Sequence, residues 1–244
     1  MQQNYGATSI ELSVKLLVNK HFAYVTTVYS HRYSDFKRNE RPIDIVILPG
    51  MPAESYLNNN GETVELTSTP IALDALVFIV HKDNPVNDLS TEQLHDIYAG
   101  KIKNWKELEG ENKKIKNYQR DRFSHTKRIM KEMVMQDTPL IKPVQAKSKS
   151  EAAYQNFPES IGYCLLSFLE NDGYRLDSEI KILSIDGVLP DENNIRDGTY
   201  PFVVNHYAVI RTGEENDNGG LFVEWILSDE GQACIREAGY LPLY

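Results

Sequence analysis

Apolar positions recur along this chain in two rhythms, one helical and one continuous. In residues 10–20 (IELSVKLLVNK), Leu12, Leu16 and Leu17 fall at helical spacing, and Val14 and Val18 widen the stripe. Thr8 or Ser9 can cap that helix. Ile43 to Leu48 (IDIVIL) and Ala75 to Val80 (ALVFIV) are unbroken apolar runs rich in β-branched residues, the pattern of buried strands. Pro49 and Gly50 close the first run, and Pro70 and the KDNP turn at 82–85 flank the second. Ser90 followed by Gln93 has the form of a capping box, so a helix is expected to about Ala99, closed by Gly100. Residues 115–118 (IKNY) predict a short strand that ends at Gln119-Arg120, and a helix follows from about Ser124 to Met135. Ile161–Leu169, Ile180–Ile185 and Tyr207–Ile210 read as strands. Leu221 to Ala238 reads as one final helix with Gly239 as its cap. Strands and helices therefore alternate, which predicts an α/β fold with mostly parallel sheets. Such sheets take ligands at the carboxyl ends of their strands, beside helix N-termini.

Composition narrows the function. The 244 residues suit one large domain or two modest ones. The net charge of −9 argues against a nucleic-acid-binding surface, which needs a dense basic footprint. The one basic concentration is residues 113–128 (KKIKNYQRDRFSHTKR). No apolar run approaches the roughly 18 residues of a membrane span, and no signal peptide is visible at the N-terminus. Cys164 and Cys234 lack metal-ligand spacing and read as buried free thiols.

No GxSxG, HExxH, Walker loop or GxGxxG occurs, and no pair of carboxylates announces a general acid and base. An enzyme is not expected, nor is a cofactor or a metal. Three loops instead place hydroxyls just before an expected helix: Gly6–Ser9, Tyr29–Ser34 and Gln119–Thr126. Free N–H groups at a helix start and nearby hydroxyls can donate to an anion's oxygens, and an Arg adds a charged fork. Taken singly, each Ser or Thr is more simply an N-cap. A shared site requires the loops to meet in space.

The stretch TPIALDALVFIVHKDNPVNDLSTEQLHDIYAGKIKNWKELEG (69–110), with the YQR at 118–120, resembles the PstS-like phosphate-binding family of the periplasmic-binding-protein superfamily, in its Gram-positive branch. ESIGYCLLSFL (159–169), ILSIDGVLPDENNIRDGTYPF (182–202) and VEWILSDEGQACIREAGYLPL (223–243) stand in the family's order. The resemblance implies a two-lobed α/β fold, with lobe one at 1–80 plus 200–244, lobe two at 81–199, and ligand held in the cleft between them. It implies an extracytoplasmic receptor that captures phosphate or a related small oxyanion for an ABC permease. A monomer is expected, because lobe closure requires a free cleft rim, attached to the cell surface through a precursor segment.

Carried over position by position, Thr8 and Ser9 fall on the family's first anion-binding loop, and Ser30 on the serine of the second. His31 takes a glycine's place there. Arg120 falls on the family arginine, Ser124 and Thr126 near the hydroxyls of the third loop, and His125 where a small residue is usual. The family's acidic acceptor after its third strand is matched here by Pro49, and Asp44 reads as structural. These departures support an alternative: a ligand-blind or altered-ligand module for signalling, adhesion or assembly.

Overall fold

A computed structural model describes residues 25–27, 44–58, 60–120, 124–143, 158–171, 179–214 and 218–244. The expected helix at 10–20 and the residues Thr8, Ser9, Ser30 and His31 lie outside them. The chain divides into two compact units. Unit 1 is Met1–Asp74 with Val204–Tyr244, and unit 2 is Ala75–Val203.

In unit 1 the IDIVIL run becomes β2 (Ile45–Pro49), which pairs in parallel with β1 (Val25–Thr27), Val25 opposite Ile45. Its other edge pairs antiparallel with β10 (Val203–Arg211), Tyr207 opposite Leu48. The long β4 (Thr63–His81) follows in the sheet order, and β3 (Ser55–Leu57) pairs with its first part. The expectation of a strand at Ala75–Val80 captures only the end of β4. Its first half alternates polar and apolar residues, and Pro70 lies within it, at the cost of one backbone donor.

An unbroken apolar run buries both faces of β2. Ile45 and Ile47 pack with Ile71, Ala208, Ile210, Phe222, Ile226 and Ile235 on one face. Val46 and Leu48 pack with Tyr56 and Val209 on the other.

The final helix is two helices, α5 (Asn218–Ile226) and α6 (Asp229–Glu237). Ser228 ends the first and caps the second. Its hydroxyl donates to the Trp225 carbonyl at 2.6 Å and accepts from the Gly231 N–H at 3.2 Å. Asp229 and Glu230 then place negative charge at the new N-terminus. Gly239, at φ 80°, closes α6 as expected.

In unit 2 the remainder of β4 pairs antiparallel with β7 (Ser160–Leu165), Phe78 opposite Tyr163, and with β8 (Ile180–Ile182). β6 (Lys116–Asn117) lies parallel to β7, and β5 (Asp88–Leu89) parallel to β9 (Ser184–Ile185). The expectation of mostly parallel sheets is thus amended to mixed sheets, because the long strands β4 and β10 run antiparallel to their described neighbours.

α1 (Thr91–Ala99) carries the full Ser90–Gln93 capping box, and Gly100, at φ 78°, donates its N–H to Asp96 and Ile97. α2 (His125–Met130) continues as a π-helical turn over Lys131–Met135. The strand expected to run to Leu169 stops at Leu165, and α3 (Leu166–Asn171) takes over. A short apolar run fits either form. The strand expected over Ile180–Ile185 is interrupted at the fully buried Leu183, whose N–H bonds the Phe78 carbonyl. α4 (Glu192–Arg196) starts on an Asp191 cap. Phe78, Tyr98, Tyr163 and Phe202 form an aromatic centre with Tyr200, whose hydroxyl donates to the Leu76 carbonyl at 3.0 Å. Cys164 is buried as expected, whereas Cys234 is only partly so, and the two are not joined as a disulfide.

Candidate functional site

Because β6 and β7 are parallel, the segments that follow them leave the same edge of the unit 2 sheet. Arg120 follows β6 by way of the buried Tyr118 and Gln119, and Gln119 is pinned by a hydrogen bond that its side-chain amide donates to the Ile141 carbonyl at 2.8 Å. From β7, Tyr163 offers its phenolic oxygen to the Arg120 N–H at 3.4 Å. From α3, Phe168 presents its ring 5.7 Å from the Arg120 guanidinium carbon. The guanidinium of the half-buried Arg120 therefore lies over the Phe168 ring, while its backbone N–H is held by the Tyr163 hydroxyl of the neighbouring strand. Burial pushes the Tyr163 phenol up to about 12, with Arg120 opposing the shift, so it stays protonated and keeps a hydrogen to donate.

Ser124 stands at the N-cap of α2 in extended conformation, and its hydroxyl makes no capping bond. Ser90 and Ser228 both spend theirs on the helix they begin. The simple capping explanation therefore fails at Ser124, whose hydroxyl is unspent among the described residues. Thr126 follows in the first turn of α2, which packs beside β7.

His125 is different. Its Nε2 is buried with no hydrogen-bond partner among the described residues. Burial, and then the Arg128 charge, push its ring down to about 4. Arg128 itself pairs with Glu132 at 3.0 Å. The unfolded imidazole, near 6.5, takes up its proton first. The stability tied to the neutral ring is therefore present above pH 6.5 and is lost as pH falls from 6.5 towards 4. For this partly solvated ring the loss should be on the order of 2 kcal/mol. Urea unfolding of wild type and His125→Phe from pH 7.5 to 4.5 checks this, since the variant should show a flatter profile.

The structure thus brings Arg120 together with Tyr163 and Phe168, and sets Ser124, His125 and Thr126 at the start of the next helix. Sequence reasoning missed Tyr163 and Phe168, which sit inside one apolar run with no distinguishing pattern. It also missed the buried pair Asp74–His206 of unit 1. Asp44 lies one residue before β2, consistent with a structural part, and Pro49 ends that strand. Among the described residues no three His, Cys, Asp or Glu side chains group to hold a metal ion. No helix there is long and apolar enough to cross a membrane.

The family model described as the PBP superfamily domain matches residues 17–230. The chain belongs to the PBP superfamily. The phosphate-binding protein PstS of Bacillus subtilis is 28% identical over 181 residues, covering 73% of this chain and 58% of its own. That of Staphylococcus saprophyticus is 30% identical over 227 residues, covering 86% of this chain and 65% of its own. The chain therefore spans less than two thirds of either relative. The PstS structure from Borrelia burgdorferi matches with a TM-score of 0.63 at 22% identity, covering 98% of this chain and 96% of that one. The PstS-like resemblance read from residues 69–110 is borne out by these relatives, and the periplasmic-binding-protein-like α/β fold by that structure.

Proposed function

We propose that this PBP-superfamily chain is an extracytoplasmic solute-binding protein that captures phosphate or a related small oxyanion and delivers it to an ABC transporter. The observation that carries this reading is Arg120 at the carboxyl edge of β6 and β7, its guanidinium over the Phe168 ring and its backbone N–H bonded to the Tyr163 hydroxyl. A guanidinium matches a tetrahedral oxyanion with two parallel N–H donors. A flat ring beneath it limits the conformations lost on binding, a contact worth about 0.5–2 kcal/mol. A desolvated anion needs nearly complete hydrogen bonding. Tyr163, the unspent Ser124 hydroxyl and Thr126 are donors of the right kind, and Thr8, Ser9 and Ser30 remain candidates for the same role. The named relatives bind phosphate and are named for binding, which supports a receptor rather than an enzyme.

Isothermal titration with phosphate, sulfate and small organic anions tests the reading. Saturable phosphate binding well below millimolar is expected. A millimolar or absent response to every anion would leave the second reading, a ligand-blind or altered-ligand module. Pro49, which has no acceptor side chain, and the buried ring of His125 favour that alternative.

A further inference from the structure

Among the described residues, β3 is an open edge of the unit 1 sheet: it pairs with β4 on one side, and no described strand lies on its other side. The Asn58 N–H bonds the Glu62 carbonyl at 3.0 Å, and the Leu66 N–H bonds the Glu54 carbonyl at 2.8 Å. These two bonds fix the parity of the antiparallel ladder. Glu54, Tyr56 and Asn58 turn their backbone groups towards β4, and Ser55 and Leu57 turn theirs away from it. The outward N–H and carbonyl groups of Ser55 and Leu57 have no hydrogen-bond partner among the described residues. Tyr56 packs inward with Val46, Leu48 and Val209, so Ser55 and Leu57 present their side chains to the opposite face. There Leu57 is 70% exposed. Glu65, opposite Ser55 on β4, shares that face, and Glu54 and Glu62 flank β3; all three are exposed. No Lys or Arg occurs between Ile43 and His81. Arg211, which reaches the Tyr56 hydroxyl, is paired with Glu214.

Sheet edges are commonly guarded against incoming strands by charged side chains, Lys above all. This edge carries an apolar side chain and carboxylates instead. Carboxylates repel an acidic strand, and a second copy of the same edge, but attract a basic one. We propose that the β3 edge is a docking site for an extended basic segment of another protein, which joins the sheet as an added strand. Ser55 and Leu57 supply four backbone hydrogen bonds to it. An apolar side chain of the segment lies beside Leu57, and its Lys or Arg side chains meet Glu54, Glu62 and Glu65. The surface belongs to unit 1, whereas Arg120 belongs to unit 2, so it stands or falls independently of the oxyanion reading.

The test is amide hydrogen exchange by NMR on the whole chain. In the free protein the Ser55 and Leu57 amides should exchange faster than that of Tyr56, which faces β4. A short end-capped peptide of alternating Lys and Val should slow Ser55 and Leu57 by about threefold or more, through added main-chain bonds. Its counterpart of alternating Glu and Val should not, and salt should weaken the effect. Leu57→Pro removes one outward N–H and leaves the bonds to β4 in place, so peptide protection at Ser55 should be lost. Leu57→Lys adds the missing guard at an exposed position and should also lose it, which keeps the test intact if the proline variant fails to fold. The inference is overturned if the Lys peptide protects neither amide, if the Glu peptide protects them equally, or if Leu57→Lys is protected like wild type. Light scattering that shows a dimer dissolved by Leu57→Lys would assign the edge to a second copy and overturn it as well.

Discussion

Arg120→Ala should weaken phosphate binding by about 100-fold or more, measured by titration calorimetry against wild type. Truncating one partner of a desolvated, hydrogen-bonded charge pair costs about 2–5 kcal/mol, because the other charge is left without compensation. Three kcal/mol already exceeds a hundredfold change in Kd. The fold should barely notice. Arg120's ring contact with Phe168 is worth at most about 2 kcal/mol, and its backbone N–H bond to Tyr163 survives the substitution. Arg120→Lys keeps the charge but loses the planar fork, so an intermediate loss is expected. An Arg120→Ala protein that binds phosphate as tightly as wild type would remove Arg120 from the site.

Gly231→Ala should destabilise unit 1 by about 3 kcal/mol or more, the upper end of overpacking costs. Helix propensity alone argues the opposite, since Ala exceeds Gly by about 1 kcal/mol in a helix interior. Geometry decides between them. A Cβ on Gly231 would meet the Trp225 carbonyl oxygen and lie 2.5 Å from Ile226 Cα and 2.6 Å from its carbonyl carbon. All three atoms are backbone, so no rotamer change relieves the overlap. α5 and α6 must move apart, which opens the cluster of Phe222, Ile226 and Ile235. The Ser228 cap, which bonds the Gly231 N–H, is disturbed as well. Urea unfolding measures the change. A variant as stable as wild type would mean that α5 and α6 are not held this closely.

What could be read from the sequence follows from how local each signal is. The β2 run, the Ser90–Gln93 box with Gly100, and the helix from Ser124 to Met135 depend on neighbours in the chain, and each is found where expected. The switch from β7 to α3 was hidden because Leu166 and Leu169 extend an already apolar run. The break between α5 and α6 was visible as Ser-Asp-Glu at 228–230, but the flanking apolar residues continue the helical stripe across it. Arg120 was legible as a candidate. Its seat was not, because Tyr163 and Phe168 reach it only through the pairing of β6 with β7. The partnership of Asp74 with His206 spans 132 residues, and no periodicity announces it.

Unit 2 is one uninterrupted stretch of chain, whereas unit 1 is assembled from both ends. β10 lies between β2 and β4 in the sheet order, so a central strand of unit 1 is synthesised only after nearly all of unit 2. As the chain is synthesised, unit 2 can complete its sheet while β2 and β4 still wait for β10 with open backbone edges. Such edges invite mispairing and slow long-range closure. Truncations that remove residues 204–244 should therefore spare the aromatic centre of unit 2 and leave unit 1 prone to aggregation.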